Sequence, residues 1–222
     1  MADRVLFTAS TCSHIATFHR PYLRAFRNMG WEVHVACGGP PLALPEADKV
    51  LILPFEKKMS SPSNFRAQKL LRSAMERNRY TLICTHTSLA AFFTRRACAG
   101  WHDRPPLVNV AHGYLFGPDT PFWKKSILLA AEKMTAPQTD LLLTMNRWDC
   151  ETACRCRLGK TVEQIPGVGV EFSRFDAPPA VSRPALRRRL GLEQEDFVLI
   201  YPAEFSARKN QAMLLRALAR LP

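Results

Sequence analysis

The sequence predicts an α/β protein built on a doubly wound parallel sheet. Short apolar runs recur from Val5 to Ile165, each of strand length and apolar enough to be buried on both faces. Segments with helical periodicity separate them, and Gly30 stands where the first of these segments would need a C-terminal cap.

Taken in order, the first run is Val5–Thr8. The segment after it places Phe18, Tyr22, Phe26 and Met29 on one helical face and Arg20, Arg24 and Arg27 elsewhere. The run Glu32–Ala36 then completes a right-handed β-α-β unit. Val50–Leu53 follows, then a helix over 64–78 with Leu70, Leu71, Ala74 and Met75 at helical spacing, the run Thr81–Cys84, and a crossover helix over Ser88–Ala99. Leu107–Ala111, an amphipathic helix over Pro121–Met134, Leu141–Thr144 and Thr161–Ile165 complete the sheet.

The stretch Ser173–Pro184 is rich in Pro, Ala and Ser and has no periodicity, which places a domain boundary near Phe175: residues 1–175 form the first domain, and 176–222 a linker and the start of a second. In the latter, Arg183–Leu192 reads as a short basic helix, Phe197–Tyr201 as a strand, and Asn210–Leu221 as a helix with Leu214, Ala217, Leu218 and Leu221 on its apolar stripe. One strand and one helix cannot bury both faces of a sheet, so this portion is not an independent domain.

With 222 residues, 47% of them hydrophobic, the chain can bury one sizeable core. No run approaches the roughly 18 apolar residues of a membrane span, and no long apolar leader follows the N-terminus. The expected location is the cytoplasm. Seven cysteines at irregular spacing are therefore read as thiols rather than a disulfide framework. Cys150, Cys154 and Cys156 fit neither zinc-finger nor radical-enzyme spacing, so no metal is assigned. The net charge of +12 points to anionic partners such as phosphates, nucleic acid or an anionic membrane, but no recognisable nucleic-acid module accompanies it and no specific nucleic-acid partner is expected.

Ligands of open parallel sheets gather beyond the carboxyl ends of the strands. Three loops there are unusually polar: Ser10–His14, Thr85–Ser88 and His112–Gly117. His112 should emerge at the crevice, and Gly113 lets backbone approach a ligand closely. A lone histidine is as readily a cap or a core residue, but three histidine-bearing loops at one edge favour a site. For His86 the alternative is that Thr87 or Ser88 simply caps the next helix.

The segments Ser13–Leu23 (SHIATFHRPYL), Gly30–Val35 (GWEVHV), Thr85–Thr87 (THT), Ala111–Gly113 (AHG), Ile165–Val170 (IPGVGV) and Ala203–Asn210 (AEFSARKN) occur in an order that resembles the family 4 glycosyltransferases of the GT-B fold. Within that family the resemblance is to the branch building capsular and other extracellular polysaccharides. The resemblance implies a Rossmann-like N-terminal domain on the acceptor side, followed by the first strand and helix of a Rossmann-like donor-binding domain.

It also implies transfer of a sugar, of hexosyl type and with retention, from a nucleotide diphosphate sugar to a glycan or lipid-linked acceptor, with no cofactor. His112 would be the catalytic contact to the transferred sugar. Ser13, His14, His86 and Gly113 would bind substrate from the first domain, and Glu204, Arg208 and Lys209 from the second. Lys209 would neutralise the donor diphosphate without a metal. Glu204 stands where many members carry Arg, and Arg208 does not match the usual basic position. On residue chemistry alone, Arg208 and Lys209 are either a solvated turn or an anion site. Exposed cations oppose a helix N-terminus by about 0.3–1 kcal/mol, which a bound anion would relieve.

The helix over Pro121–Met134 carries Trp123, Ile127, Ala130, Ala131 and Met134 on one stripe, Phe122 at its start and Lys124, Lys125 and Lys133 alongside. It either packs on the sheet or lies on an anionic membrane, which would make the protein peripheral on the inner face of the cell membrane. The family's paired-Glu motif is not expected before Pro222, and a full second domain would need about 150 further residues. The expected activity of this chain alone is weak at most. Two other readings are a GT-B-like sugar-nucleotide epimerase, which would need no acceptor, and a non-catalytic protein that binds an anionic membrane or polymer.

Overall fold

A computed structural model describes residues 2–172, 181–207 and 209–221. These fall into two compact units, Met1–Glu171 and Phe172–Pro222. The expected boundary at Phe175 lies outside the described residues.

The first unit contains a seven-stranded sheet: β1 (Arg4–Ala9), β2 (Glu32–Cys37), β3 (Lys49–Ile52), β4 (Leu82–His86), β5 (Leu107–Ala111), β6 (Leu141–Thr144) and β7 (Thr161–Gln164). The order is β3-β2-β1-β4-β5-β6-β7, and each neighbouring pair is parallel. All seven apolar runs are strands.

The runs are legible because the central strands are covered on both faces. On one face Val5, Phe7, Val33 and Val35 pack against Ile15 and Leu23; on the other, Leu6, Ala36 and Ile83 pack against Ala67, Leu71 and Met75. The helices that cover them are α1 (Cys12–Phe18), α2 (Arg20–Asn28), α3 (Pro62–Asn78) and α4 (Ser88–Ala97). α5 (Phe122–Thr135) and α6 (Arg147–Cys156) complete the unit. Chain direction away from β1 reverses between β1 and β4, which opens the crevice where a doubly wound sheet binds ligands.

Three expectations are corrected. The single helix expected before Gly30 is two, α1 and α2, separated at His19. Pro21 removes a backbone donor and its ring would clash with the carbonyl one turn earlier, so one helix cannot run through. As a result Ile15 and Leu23 fill the core, whereas Phe18, Tyr22 and Met29 are exposed. Gly30, at φ +82°, still ends the segment in the left-handed conformation.

Second, two of the seven cysteines are not thiols: Cys12, at the start of α1, is disulfide-bonded to Cys37, at the end of β2. The other five are free, and Cys150, Cys154 and Cys156 on α6 form no metal-ligand group among the described residues.

Third, Phe197–Tyr201 is not a strand. The second unit contains α7 (Arg183–Arg189) and α8 (Gln211–Leu218), joined by an irregular segment in which Phe197 and Ile200 are exposed. A strand needs a neighbour to take its backbone hydrogen bonds, and among the described residues this segment has none.

Candidate functional site

The site is assembled at the carboxyl ends of β1, β4 and β5. After β1 the chain turns into α1 with Thr11 as N-cap, its hydroxyl accepting from the His14 amide at 3.3 Å. This cap fixes the first turn of α1 and brings His14, half-buried, over the sheet edge. β4 ends at His86, which is only 3% exposed. β5 ends at Ala111, and His112 follows beside Gly113, whose φ of +118° is one that an L-residue rarely adopts.

These loops bring four imidazoles together. His14 Nε2 lies 3.4 Å from His112 Nε2, and His19 Nε2 lies 3.2 Å from His14 Nε2. His112 Nε2 is 3.4 Å from His86 Nδ1. The His19 ring packs on the His86 ring at 3.8 Å between centroids, and Phe7 stacks against His86 from below. Nε2 of His86 is buried without a hydrogen-bond partner among the described residues.

Burial, then the charge of His112, holds the His14 imidazole down to about 4; burial, then His14 and His112, holds His19 down to about 3. His86 is pushed well below its ordinary value by burial and then by the other three, and His112 is lowered by burial. At neutral pH the cluster is a set of uncharged imidazoles with lone pairs available.

Two cavities flank the cluster. One of about 290 Å³ is lined by Ser10, Thr87, Asn109, His112 and Gly113, with Arg95 of α4 in its wall. The other, about 140 Å³, is lined by Phe7, His19, Tyr22 and His86 and by Ile165 and Val168 beyond β7. Thr87 is the N-cap residue of α4 but makes no side-chain cap bond. It sits at φ +62°, strained for a β-branched residue, with its hydroxyl accepting from the Ser10 amide at 3.0 Å.

Of the residues singled out in the sequence, His14, His86 and His112 meet, and Gly113 lines the larger cavity. Ser13 is exposed and donates to Thr11 Oγ1 at 3.1 Å, outside the cluster. Glu204 and Lys209 belong to the second unit. The Glu204 carbonyl accepts from Gln211 Nε2 at 2.6 Å, and the Lys209 carbonyl from the Tyr201 hydroxyl at 2.8 Å. Arg208 lies outside the described residues.

His19 was missed. On an unbroken helix it would stand roughly 140° round from His14; the break at Pro21 brings the two together. Arg95 was missed as well, since nothing in a helix pattern marks an arginine that is fully buried.

The model of Glycosyltransferase Family 4 matches residues 14–168, a span that contains all four histidines of the cluster. The chain belongs to glycosyltransferase family 4. It is 33% identical over 224 residues to EpsD of Bacillus subtilis (strain 168), which is assigned by name to the glycosyltransferases; the match covers 100% of this chain and 58% of EpsD. The chain thus spans little more than half the length of that relative.

Among solved structures, this family 4 chain is similar to sucrose-phosphate synthase from Thermosynechococcus elongatus, with a TM-score of 0.71 and 16% identity over 99% of this chain and 60% of that one. It is also similar to Anabaena HepE, solved in complex with UDP and glucose, with a TM-score of 0.69 and 19% identity over 99% of this chain and 58% of HepE. At these identities the likeness is one of fold: a parallel seven-stranded sheet with helices, resembling the N-terminal Rossmann-like domains of GT-B glycosyltransferases.

Proposed function

We propose that the protein transfers a hexosyl group from a nucleotide diphosphate sugar, with retention, to a glycan or lipid-linked acceptor during assembly of an extracellular polysaccharide. The observation that carries this reading is the position of His112 and Gly113, at the carboxyl end of β5 on the wall of the 290 Å³ cavity. A neutral imidazole there can accept a hydrogen bond from a sugar hydroxyl, and Gly113 leaves the backbone open to close approach. The polysaccharide role is favoured by the likeness to EpsD, and a nucleoside diphosphate donor by the UDP and glucose bound to HepE.

In this reading Lys209 meets the donor diphosphate, where negative charge accumulates as the sugar departs, and a fixed cation lowers that barrier. Arg208 and Glu204 flank it in the sequence. Ser13, His14 and His86 serve the acceptor side. α5 packs Leu129 against the core and pairs Glu132 with Arg95, and on its exposed side Phe122 and Trp123 beside Lys124 favour docking on the anionic inner face of the cell membrane.

The test is product formation by the protein expressed from its complete reading frame, given a panel of labelled nucleotide diphosphate sugars and a lipid-linked glycan extract. Label should pass to the acceptor, and His112→Ala should lower the rate by about 100-fold or more. Acceptor-independent release of sugar or nucleotide would instead identify an epimerase-like enzyme. Salt-sensitive binding with no chemistry, unchanged in His112→Ala and Lys209→Ala, would leave only a binding module.

A further inference from the structure

We propose that the larger cavity receives the terminal residue of the acceptor as an N-acetylated amino sugar, its amide held between Glu132 and Arg95 and its methyl group in a small apolar cavity alongside. This rests on the transferase reading above and names the acceptor class that it would use.

The two cavities share a wall. Ser88, Tyr114, Leu115 and Glu132 line the cavity of about 290 Å³, and the same four residues line another of about 20 Å³. The smaller one is apolar on six of its nine sides, through Met59, Phe92, Leu115, Phe116, Leu128 and Ala131. A space of about 10–15 Å³ already admits a water, and a methyl group is of similar size; the apolar lining suits the methyl. The larger cavity, at about 30 Å³ per water, corresponds to about ten waters, close to the heavy-atom count of one hexose.

Unused hydrogen-bonding groups stand on that shared wall. Glu132 Oε2 accepts from Arg95 Nη2 at 2.9 Å, while Oε1 has no partner among the described residues. Arg95 Nη1 and the Tyr114 hydroxyl are buried and likewise without a partner among the described residues. The charges of Glu132 and Arg95 both act on the Tyr114 hydroxyl, so the three groups converge. One acceptor and two donors are therefore left over. An amide complements all three: its N–H donates to Glu132 Oε1, and its carbonyl oxygen, with two lone pairs, accepts from Arg95 Nη1 and the Tyr114 hydroxyl.

Other ligand groups match this wall less well. A phosphate or carboxylate would accept from Arg95 but meet the Glu132 charge, and the ion pair leaves no net charge to attract it. A vicinal diol could bond to the same groups, yet it would bury nothing in the apolar cavity. His112 and Gly113 belong to the same lining, so a sugar held at Glu132 lies beside the group assigned to the transferred sugar.

The experiment measures binding without transfer. Protein from the complete reading frame, with no donor present, is titrated with the methyl glycosides of N-acetylglucosamine, N-acetylgalactosamine, glucose and galactose and followed by saturation-transfer NMR. An N-acetylated glycoside should bind at least about tenfold more tightly than its hydroxyl counterpart, a difference of about 1.4 kcal/mol, with its acetyl methyl protons the most strongly saturated. Ala131→Leu fills the small cavity with a good helix former and should remove both the preference and the methyl signal. Tyr114→Phe deletes only a hydroxyl and should reduce the preference. Equal binding of the two kinds of glycoside by the parent protein, or no binding, overturns the proposal, as does a preference that survives Ala131→Leu in a variant with the parent Tm. Should Ala131→Leu unfold the protein, an undiminished preference in Tyr114→Phe overturns it instead. Transfer is read separately: label passing equally to hydroxyl-terminated acceptors keeps the transferase and rejects this subsite, whereas selective binding with no transfer from any donor rejects the transferase and keeps the N-acetyl site.

Discussion

Arg95 of α4 and Glu132 of α5 form an ion pair of 2.9 Å in which the guanidinium is entirely buried. The Arg95 Nε donates to the Ala91 carbonyl, and Nη1 is buried without a partner among the described residues. Both residues line the larger cavity, so the pair is part of the wall beside His112. Removing one charge leaves the other buried and unpaired, which costs about 3–5 kcal/mol, whereas replacing both by apolar groups is often close to neutral. Glu132→Ala should therefore lower unfolding free energy by about 3 kcal/mol, and Arg95→Met with Glu132→Leu by much less. Urea denaturation of the two variants checks this; equal losses would show that shape, not charge, matters at the wall.

At the opposite edge of the sheet, Asp140 ties three strands together. Its carboxylate accepts from Arg104 at 2.5 and 3.1 Å, from Lys160 at 2.8 Å and from the Leu107 amide at 2.8 Å. Desolvation by partial burial opposes ionisation, but these bonds outweigh it and hold the carboxyl well below its usual 3.8. The folded value lies below the unfolded one, so the stabilisation is complete above the ordinary carboxylate range and is lost as pH falls below it towards the folded value. Asp140→Asn should cost about 2 kcal/mol at pH 7 and less at pH 3. Unfolding midpoints at the two pH values decide it; a penalty that did not shrink in acid would exclude the ionic contribution.

The Cys12–Cys37 bond closes a loop with a sequence separation of 25. Restricting the unfolded chain over that length stabilises the fold by about 3.5 kcal/mol. In a reducing compartment the same pair would be held as two buried thiols. Reductant should shift the unfolding midpoint down, and Cys12→Ala with Cys37→Ala should have the lower midpoint with or without reductant. If reductant moved the double variant as much as the parent, another sulfur would be responsible.

The strands could be read from the sequence because burial on both faces writes continuous apolar runs such as Val5–Phe7, and because their polar ends hold the histidines. His14, His86 and His112 were legible for that reason, and His19 was not. Its place depends on how Pro21 interrupts a helix whose apolar spacing, Phe18 to Met29, reads as unbroken. The disulfide was equally hidden, since it depends on α1 starting beside the end of β2, and nothing in the spacing of seven cysteines singles out that pair. Phe197–Tyr201 shows the converse: apolar enough for a strand, yet unpaired where no neighbouring strand is described. Pattern records which side chains are buried, but pairing and helix breaks are settled by tertiary neighbours.

α5 exposes Phe122 and Trp123, 86% and 67% accessible, together with Ile127 and Met134, while Lys124 and Lys133 lie exposed on the same helix. Two aromatic rings entering the headgroup layer contribute through apolar area, and each lysine near an anionic surface adds about 1 kcal/mol. Binding should therefore need both. In vesicle flotation, the protein should float with phosphatidylglycerol-rich vesicles at low salt and much less with neutral phosphatidylcholine. Phe122→Ser with Trp123→Ser should weaken binding by at least about tenfold, since losing even 1.4 kcal/mol of burial does so. Lys124→Gln with Lys133→Gln should flatten the salt dependence while leaving residual binding. If the serine variants floated unchanged, α5 would not be the docking helix; if they instead dispersed a dimer in gel filtration, its apolar stripe would be a contact between copies of this chain.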